Sequence, residues 1–239
     1  CLATLPDGAK AAYEMGALSA TGNMTSGDGH ILLDFPKVLE KGVRGIIDEA
    51  EAELALLDTT DPGNIRKGHL LEAVVIIYTG VIDYAARYSV LAREMSAVEP
   101  DPLRREELMR IAEITARVPE HPPESFYQAV QAVWFIHLIS QIESNGHSMS
   151  LGRFDQYMYP YYRSDLESGT MTEEAAGEIL CDLWLQMFGV TKIRPWNHTR
   201  FSGGGPTYQN LTLGGVDTEG KHATNPLTLL CLDTVARTR

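Results

Sequence analysis

The segment at positions 143–156, which reads ESNGHSMSLGRFDQ, places many functional groups in a short stretch of chain. It directly follows an apolar run that predicts a buried helix, and it mixes histidine, serine, arginine and carboxylates with two glycines. Loops of this composition at the end of a buried element often form binding sites. The alternative is a solvated loop between helices, in which Asn145-Gly146 forms an ordinary turn and Ser148 caps a helix. The residues alone leave both interpretations open.

Two other patterns have the spacing of known sites but lack a required feature. Glu143 and His147 are four residues apart, a spacing that metal sites use on helices, but Gly146 between them interrupts a helix. Positions 203–205 are glycines, but the Lys-Ser or Lys-Thr pair of a phosphate-binding loop does not follow them. We therefore expect no bound metal and no nucleotide site. His137, on the predicted buried helix, is interpreted as a hydrogen-bonded core histidine.

The composition is that of an acidic globular protein. The chain has 239 residues, a formal net charge of -12 and 44% hydrophobic residues. Lys and Arg are not clustered, so a nucleic-acid partner is not expected. The three cysteines, Cys1, Cys181 and Cys231, are far apart and odd in number, which favours reduced thiols in a cytoplasmic protein over disulfides. Cys181 and Cys231 lie in helical patterns, where buried packing is the expected role.

Long helices dominate the predicted secondary structure. Apolar residues at helical spacing, separated by turns, predict helices over 35–57, 65–97, 103–118, 125–144, 154–166 and 172–188, and a last helix from 224 onwards. One strand, ending at Gly214-Gly215, is predicted within 208–216, where apolar residues alternate with small or polar ones. The fold class is therefore mainly α with a few β-strands.

The first long helix has two predicted details. It should start at Asp34, a residue type that caps helix N-termini, with Pro36 in its first turn. Glu40 and Arg44 have the i,i+4 spacing of an ion pair on its solvent side.

The helix at 65–97 is apolar on all sides in its middle, as is much of the helix at 125–144. A helix that is apolar all round is expected to be buried all round. In the full-length protein we therefore expect four side chains to be almost inaccessible to solvent, namely Val75, Ile76, Trp134 and Phe135. The longest apolar stretch, 73–81, is too short to span a bilayer, so no membrane association is expected.

Three parts of the sequence resemble one enzyme family. They are the segment Asn145–Ser148 with Gly152–Tyr157 and Tyr159-Pro160, the earlier segment Gly27–His30, and the later segment Tyr208–Gly215. Together and in this order they resemble the glycyl radical dehydratases and lyases of the pyruvate formate-lyase superfamily. The resemblance spans nearly the whole chain. We therefore interpret positions 1–239 as part of one such domain, truncated at both ends.

The resemblance implies a fold and a chemistry. The fold is a ten-stranded α/β barrel, wrapped in helices, around an internal active site. A separate activase, which uses S-adenosylmethionine and an iron–sulfur cluster, installs a radical on a glycine near the C-terminus. A cysteine thiyl radical then abstracts a hydrogen atom from the substrate. The motifs for these two residues, Arg-Val-x-Gly-Tyr and Gly-Cys-Val-Glu, are not in the sequence, so no catalytic residue is assigned to this chain.

The resemblance also implies a substrate pocket. By their place in the family's motifs, His30, His147 and Ser148 are predicted to bind substrate hydroxyl groups, since imidazole and hydroxyl groups both donate and accept hydrogen bonds. The implied activity is elimination of water or another leaving group from a small polar metabolite, with glycerol or propanediol as the leading expectation.

Two alternatives remain open. One is acyl transfer of the formate C-acetyltransferase type, which the His147-Ser148 loop disfavours. The other is a non-catalytic helical module that binds a protein partner. The expected partners of the enzyme are its small-molecule substrate and its activase, and the family makes a homodimer possible.

Overall fold

The chain is mostly helical, as its sequence predicts. The structure is a computed structural model that describes residues 6–17, 31–58, 60–144, 148–190 and 209–238. Its helices are α1 (Asp7–Glu14), α2 (Phe35–Ala55), α3 (Ile65–Val98), α4 (Pro102–Arg117), α5 (Phe126–Ser144), α6 (Phe154–Ser168), α7 (Glu173–Gly189) and α8 (Pro226–Arg237). Its strands are β1 (Ile31–Leu32), β2 (Met149–Ser150), β3 (Gly152–Arg153) and β4 (Leu211–Thr212). The helices lie close to their predicted bounds, whereas strands of two residues are too short to produce an alternating pattern.

α2 begins at the predicted cap and bends at a glycine. The carboxylate of Asp34 accepts a hydrogen bond from the backbone N–H of Lys37 (3.2 Å), which confirms the cap. At Gly42 the backbone leaves helical geometry, with a φ of 65° that side chains other than glycine rarely adopt. A Cβ atom at this position would lie 2.7 Å from Cα of His121. Both the conformation and the close approach therefore require glycine.

The bend at Gly42 changes the partner of Arg44. Its backbone N–H donates to the carbonyl oxygen of Glu120 (3.0 Å), and its guanidinium forms an ion pair with the Glu120 carboxylate (2.9 Å). The prediction of a Glu40–Arg44 pair is therefore wrong. The i,i+4 spacing brings two side chains together only when the helix between them is continuous.

One side of α3 packs against its neighbouring helices. Oγ of Ser89 donates to the carbonyl oxygen of Ala112 in α4 (2.7 Å), and Val81, Ala85 and Ala92 are buried. An exposed ion pair between Lys67 and Glu53 joins the start of α3 to α2. These contacts fix α3 against α2 and α4 and leave much of its apolar surface uncovered.

The described residues leave one side of α3 uncovered, so burial of this helix all round stays a prediction for the full-length protein. Ile76 is 71% exposed, whereas Phe135 is 2% exposed. Val75 and Trp134 are partly buried. Of the four residues expected to be almost inaccessible, only Phe135 is. An apolar pattern predicts which helix surfaces pack against another part of the protein. The described residues cover only part of the apolar surface of α3.

Length and composition alone also make α3 a candidate membrane span: within Pro62–Val98, a window of 18 residues has a mean hydropathy of 1.4. The expectation drawn from positions 73–81 is corrected on this point, because the helix extends far beyond that stretch. A single helix of this kind is weak evidence for a membrane, since core helices have the same length and composition.

The core lies among α2, α5, α6, α7 and α8. Its fully buried side chains include Phe35, Phe126, Phe154 and Leu180, one from each of the first four of these helices. The carboxylate of Asp165 in α6 accepts a hydrogen bond from the backbone N–H of Phe126, the first residue of α5 (2.8 Å). This contact satisfies a donor that a helix N-terminus leaves unpaired and ties α5 to α6.

The four strands form two parallel pairs, and one strand of each pair lies within residues 149–153. β1 pairs with β2, with Ile31 opposite Met149, and β3 pairs with β4. Between β2 and β3 the backbone N–H of Leu151 donates to the carbonyl oxygen of Asn210 (3.0 Å). Residues 149–153 therefore pair first with β1 and then with β4. Only positions 211–212 of the predicted strand at 208–216 are a strand in the described residues.

Replacing Gly42 by alanine should destabilise the fold by about 1–3 kcal/mol, because the new Cβ atom clashes with the backbone at His121 and the positive φ becomes strained. Gly80→Ala is the matched control, since Gly80 lies inside α3 and, apart from that helix's own backbone, no atom of the described residues lies within 4 Å of the added Cβ. That change should stabilise the helix by about 0.5–1 kcal/mol. Thermal unfolding followed by circular dichroism measures both, and equal midpoints for the two variants would contradict the role given to Gly42.

Candidate functional site

Ser148 is fully buried and directly precedes β2. Its φ of 62° lies in the left-handed region, which residues other than glycine seldom enter. Its Oγ atom makes no hydrogen bond to any of the described residues. Buried hydroxyl groups are normally hydrogen-bonded, and strained backbone occurs preferentially at functional sites. Ser148 therefore has the features of a side chain that is held in place for a ligand.

The other two predicted site residues, His30 and His147, lie outside the described residues. The strands that follow them in sequence are nevertheless paired. Ile31, the residue after His30, donates its backbone N–H to the carbonyl oxygen of Ser148 (3.1 Å). The structure thus joins the two segments of the sequence that contain the three candidates, although they are far apart along the chain.

The polar residues after Ser148 in the same motif have a role that sequence reasoning missed. Four of them form hydrogen bonds with backbone atoms of Leu151, between β2 and β3, or of the chain after β4; they are Arg153, Asp155, Gln156 and Tyr157. A polar side chain that binds backbone and one that binds a ligand look alike in a single sequence. The motif therefore combines one buried, unpartnered hydroxyl with a set of structural contacts.

A second buried polar cluster lies between α5, α7 and the residues before β4. Nε2 of His137 is hydrogen-bonded to Oε1 of Gln209, and Nε2 of Gln209 donates to the carbonyl oxygen of Met187 (2.7 Å). His137 is fully buried, which confirms its prediction as a hydrogen-bonded core histidine. Burial lowers the pKa of His137 below its usual 6.5, and the hydrogen bond with Gln209 opposes this only in part. The neutral ring then donates its Nε2–H to Gln209.

The described cysteines are packing residues. Cys231 in α8 is fully buried, as expected, whereas Cys181 in α7 is only partly buried. Burial, with a smaller effect from the charge of Asp155, raises the pKa of the Cys231 thiol to about 12. The thiolate is the reactive form of cysteine, so this thiol is not a nucleophile near neutral pH.

A groove of about 710 Å³ lies among α3, α4, α5 and α7, and Ser148 is not among the residues that line it. Its lining combines apolar Trp134 with charges of both signs, including Arg104, Arg110 and Asp182. Nothing in this mixture selects one ligand chemistry, so the groove is not assigned a function. In the described part of the chain, His, Cys, Asp and Glu side chains do not form a group of three or more that could hold a metal ion.

We expect the His137 ring to titrate below 6.5, because burial disfavours the imidazolium. Two-dimensional NMR of 15N-labelled histidine rings, with a His137→Gln variant to assign the signal, measures both the charge and the tautomer. The free energy of unfolding should fall as the pH drops below about 6.5. In this range the His137 imidazole binds a proton more readily in the unfolded chain than in the folded protein. A His137 ring that titrates at or above 6.5, or a neutral ring with its proton on Nδ1, would contradict this description.

Comparison with known proteins identifies the family. The model of the pyruvate formate lyase-like family matches residues 1–239. An isethionate sulfite-lyase of Oleidesulfovibrio alaskensis is 42% identical over 83% of this chain and 24% of that protein. The fold is similar to that of the B12-independent glycerol dehydratase from Clostridium butyricum in its glycerol-bound form, with a TM-score of 0.85 and 41% identity over 89% of this chain and 27% of the other. It is also similar to a Roseburia inulinivorans structure described for 1,2-propanediol dehydration, with a TM-score of 0.95 and 36% identity over 99% of this chain and 29% of the other.

The chain spans less than a third of the length of these relatives. The family model nevertheless matches it from its first residue to its last. The motifs that resemble glycyl radical enzymes, the similar folds and the similar sequences agree with one another. The chain belongs to the pyruvate formate lyase-like family of glycyl radical enzymes.

Proposed function

We propose that the protein is a glycyl radical lyase that eliminates water, or another leaving group, from a small polar metabolite. In this proposal the chain contributes one side of the substrate pocket through His30, His147 and Ser148. The observation that supports it most directly is the Oγ atom of Ser148, which is fully buried and has no hydrogen-bond partner among the described residues. The paired strands β1 and β2 support it further, since they follow the two segments that contain these residues.

A substrate hydroxyl group suits the proposed site. Serine and histidine side chains both donate and accept, as does an alcohol, so each can bind it without a fixed proton direction. A buried polar group left unpaired costs about 1–3 kcal/mol, so such a site rejects analogues that lack the hydroxyl. The similar structures are those of a glycerol dehydratase and of an enzyme described for 1,2-propanediol dehydration, which supports a vicinal diol as the substrate.

The radical chemistry is assigned to residues that this sequence does not contain. A glycyl radical, installed by an S-adenosylmethionine-dependent iron–sulfur activase, would supply the hydrogen-atom abstraction. The chain has neither the Arg-Val-x-Gly-Tyr nor the Gly-Cys-Val-Glu motif, and the buried, protonated Cys231 does not fit a catalytic role. The task proposed for this chain is to bind and orient substrate hydroxyl groups and to exclude water around them.

The similar enzymes favour elimination over acyl transfer. The family model includes pyruvate formate lyase in its description, which keeps acyl transfer of the formate C-acetyltransferase type as a second candidate. The similar proteins named above are a sulfite-lyase, a glycerol dehydratase and an enzyme described for 1,2-propanediol dehydration, which supports elimination. The exposed apolar side of α3 is the feature that a non-catalytic binding module would use.

We further propose that β1 to β4 form part of a ten-stranded barrel and that the protein is cytoplasmic. The same family membership makes a homodimer possible. Because the chain spans less than a third of its relatives, the remaining chain is the proposed cover for the exposed side of α3. Contact with the remaining chain, rather than with a membrane, would account for the apolar surface of α3.

Replacing Ser148 by alanine in the full-length protein should lower kcat/KM for glycerol or 1,2-propanediol about 5- to 150-fold, which corresponds to about 1–3 kcal/mol of lost transition-state stabilisation. Alanine keeps the Cβ atom, so the cost of the left-handed backbone is unchanged and only the hydroxyl is removed. The glycyl radical signal in electron paramagnetic resonance should remain at the parent intensity, because the radical is stored elsewhere.

Ser150→Ala is the matched control, since Ser150 lies two residues after Ser148, in β2, and outside the predicted site. It should leave both turnover and radical signal unchanged. Parent rates for the Ser148→Ala and His147→Ala variants would show that the site is assigned to the wrong residues. The 239-residue chain alone, treated with the activase, should give no radical signal, because it lacks the radical-bearing motif.

A further inference from the structure

Asp155, in the first turn of α6, is fully buried and has no part in the proposed binding of substrate. Buried carboxylates are costly unless their hydrogen bonds are satisfied, so their partners indicate what they do. We infer that Asp155 is a positioning residue: it holds the hairpin at positions 214–225, in which Val216 pairs antiparallel with His222, against α6. It thereby fixes the stretch from Ser148 to β3. This inference rests on the proposed function, because it concerns the same pocket.

The contacts of Asp155 connect three elements. Its Oδ2 atom accepts hydrogen bonds from the backbone N–H of Gly214 (2.7 Å), just after β4, and from Oγ1 of Thr228 in α8. Its carbonyl oxygen accepts a hydrogen bond from the side-chain amide of Asn225 (3.0 Å), the residue that caps α8. Its Oδ1 atom has no partner among the described residues. One carboxylate oxygen therefore joins the end of β4 to the start of α8.

Two neighbours of Asp155 bind the same hairpin. Nη2 of Arg153 donates to the carbonyl oxygen of Gly214 (2.9 Å), and Nε2 of Gln156 donates to the carbonyl oxygen of Ala223 (2.8 Å). Both the N–H and the C=O of Gly214 are thus held by side chains of one short motif. Gly214 has a φ of 65°, so the hairpin starts at a residue whose conformation is specific to glycine.

The strands need this support because they are short. β3 and β4 have two residues each, so the ladder between them contains few hydrogen bonds that could define its register. A shift by one residue would turn every side chain of a strand to the opposite face. Leu151 and Ser148 are both buried on the stretch that leads into β3. By fixing Gly214, Asp155 prevents a shift that would move this stretch and the Ser148 hydroxyl with it.

The contacts allow the hydrogen bonds and the charge of Asp155 to be tested separately. In Asp155→Asn, the amide oxygen can take the place of Oδ2 and accept both hydrogen bonds, while the amide nitrogen takes the place of the unpartnered Oδ1. In Asp155→Ala both hydrogen bonds are lost. A positioning role through hydrogen bonds therefore requires that asparagine restores what alanine removes.

Hydrogen–deuterium exchange of the full-length protein, read by mass spectrometry on peptides covering 148–153, tests the positioning directly and needs no substrate. Asp155→Ala should speed exchange there about tenfold, whereas Asp155→Asn should match the parent. Glu219→Gln is the control, because Glu219 is exposed on the same hairpin and does not contact Asp155. Parent-like exchange in the alanine variant, or equally fast exchange in both Asp155 variants, would overturn the inference.

Turnover of glycerol and 1,2-propanediol shows whether the positioning serves the pocket. Asp155→Ala should raise KM about tenfold at an unchanged radical content per folded protein, and Asp155→Asn should restore it. If the alanine variant does not fold, Thr228→Val decides, since it removes one hydrogen bond and keeps the shape: a KM raised several-fold supports the inference and a parent KM overturns it. Ser148→Ala, assayed in parallel, separates the two claims. If Ser148→Ala lowers turnover and the Asp155 variants have no effect, the positioning role alone is refuted. If Ser148→Ala turns over at the parent rate, the proposed pocket is refuted, whatever the exchange data show.

Discussion

The hydrogen bond from the backbone N–H of Ile31 to the carbonyl oxygen of Ser148 is the contact on which the candidate site depends. It begins the pairing of β1 with β2 and brings together two segments that lie far apart in the sequence. Leu151, the residue after β2, instead donates its backbone N–H to the carbonyl oxygen of Asn210, so the same stretch of chain also pairs with the segment that leads into β4. Because each strand has only two residues, the helices around this stretch must hold it. α5 precedes it, α6 follows it, and the core side chains of both pack beneath it.

Buried polar side chains serve the backbone at several points of this arrangement. Asp165 binds the first N–H of α5, Asp155 binds the N–H of Gly214, and His137 binds Gln209, which in turn binds the end of α7. In each case a buried donor or acceptor receives a partner that secondary structure does not supply. Ser148 differs, since its only polar side-chain atom has no partner among the described residues, whereas Asp155 and His137 each have one partnered and one unpartnered atom. That difference separates a proposed ligand contact from the structural contacts that surround it.

Much of the helical framework could be predicted from the sequence, because helical periodicity and capping residues are local signals. Asp34 caps α2 as expected, and the buried Phe135 follows from its apolar helix. The bend at Gly42 could not be predicted, since it depends on the chain at residues 119–121 approaching α2. The exposure of Ile76 could not be predicted either, because an apolar pattern does not say which part of the protein covers it. The segment containing Ser148 was identifiable from its motif, whereas the backbone contacts of Asp155 required coordinates.

The most direct test of the account is an experimental structure of the full-length protein with glycerol or 1,2-propanediol bound. We expect a hydrogen bond of about 2.5–3.0 Å between Oγ of Ser148 and a substrate hydroxyl, in a pocket that also contains the side chains of His30 and His147. A bound diol that lies away from Ser148, with Oγ hydrogen-bonded only to protein atoms, would contradict it.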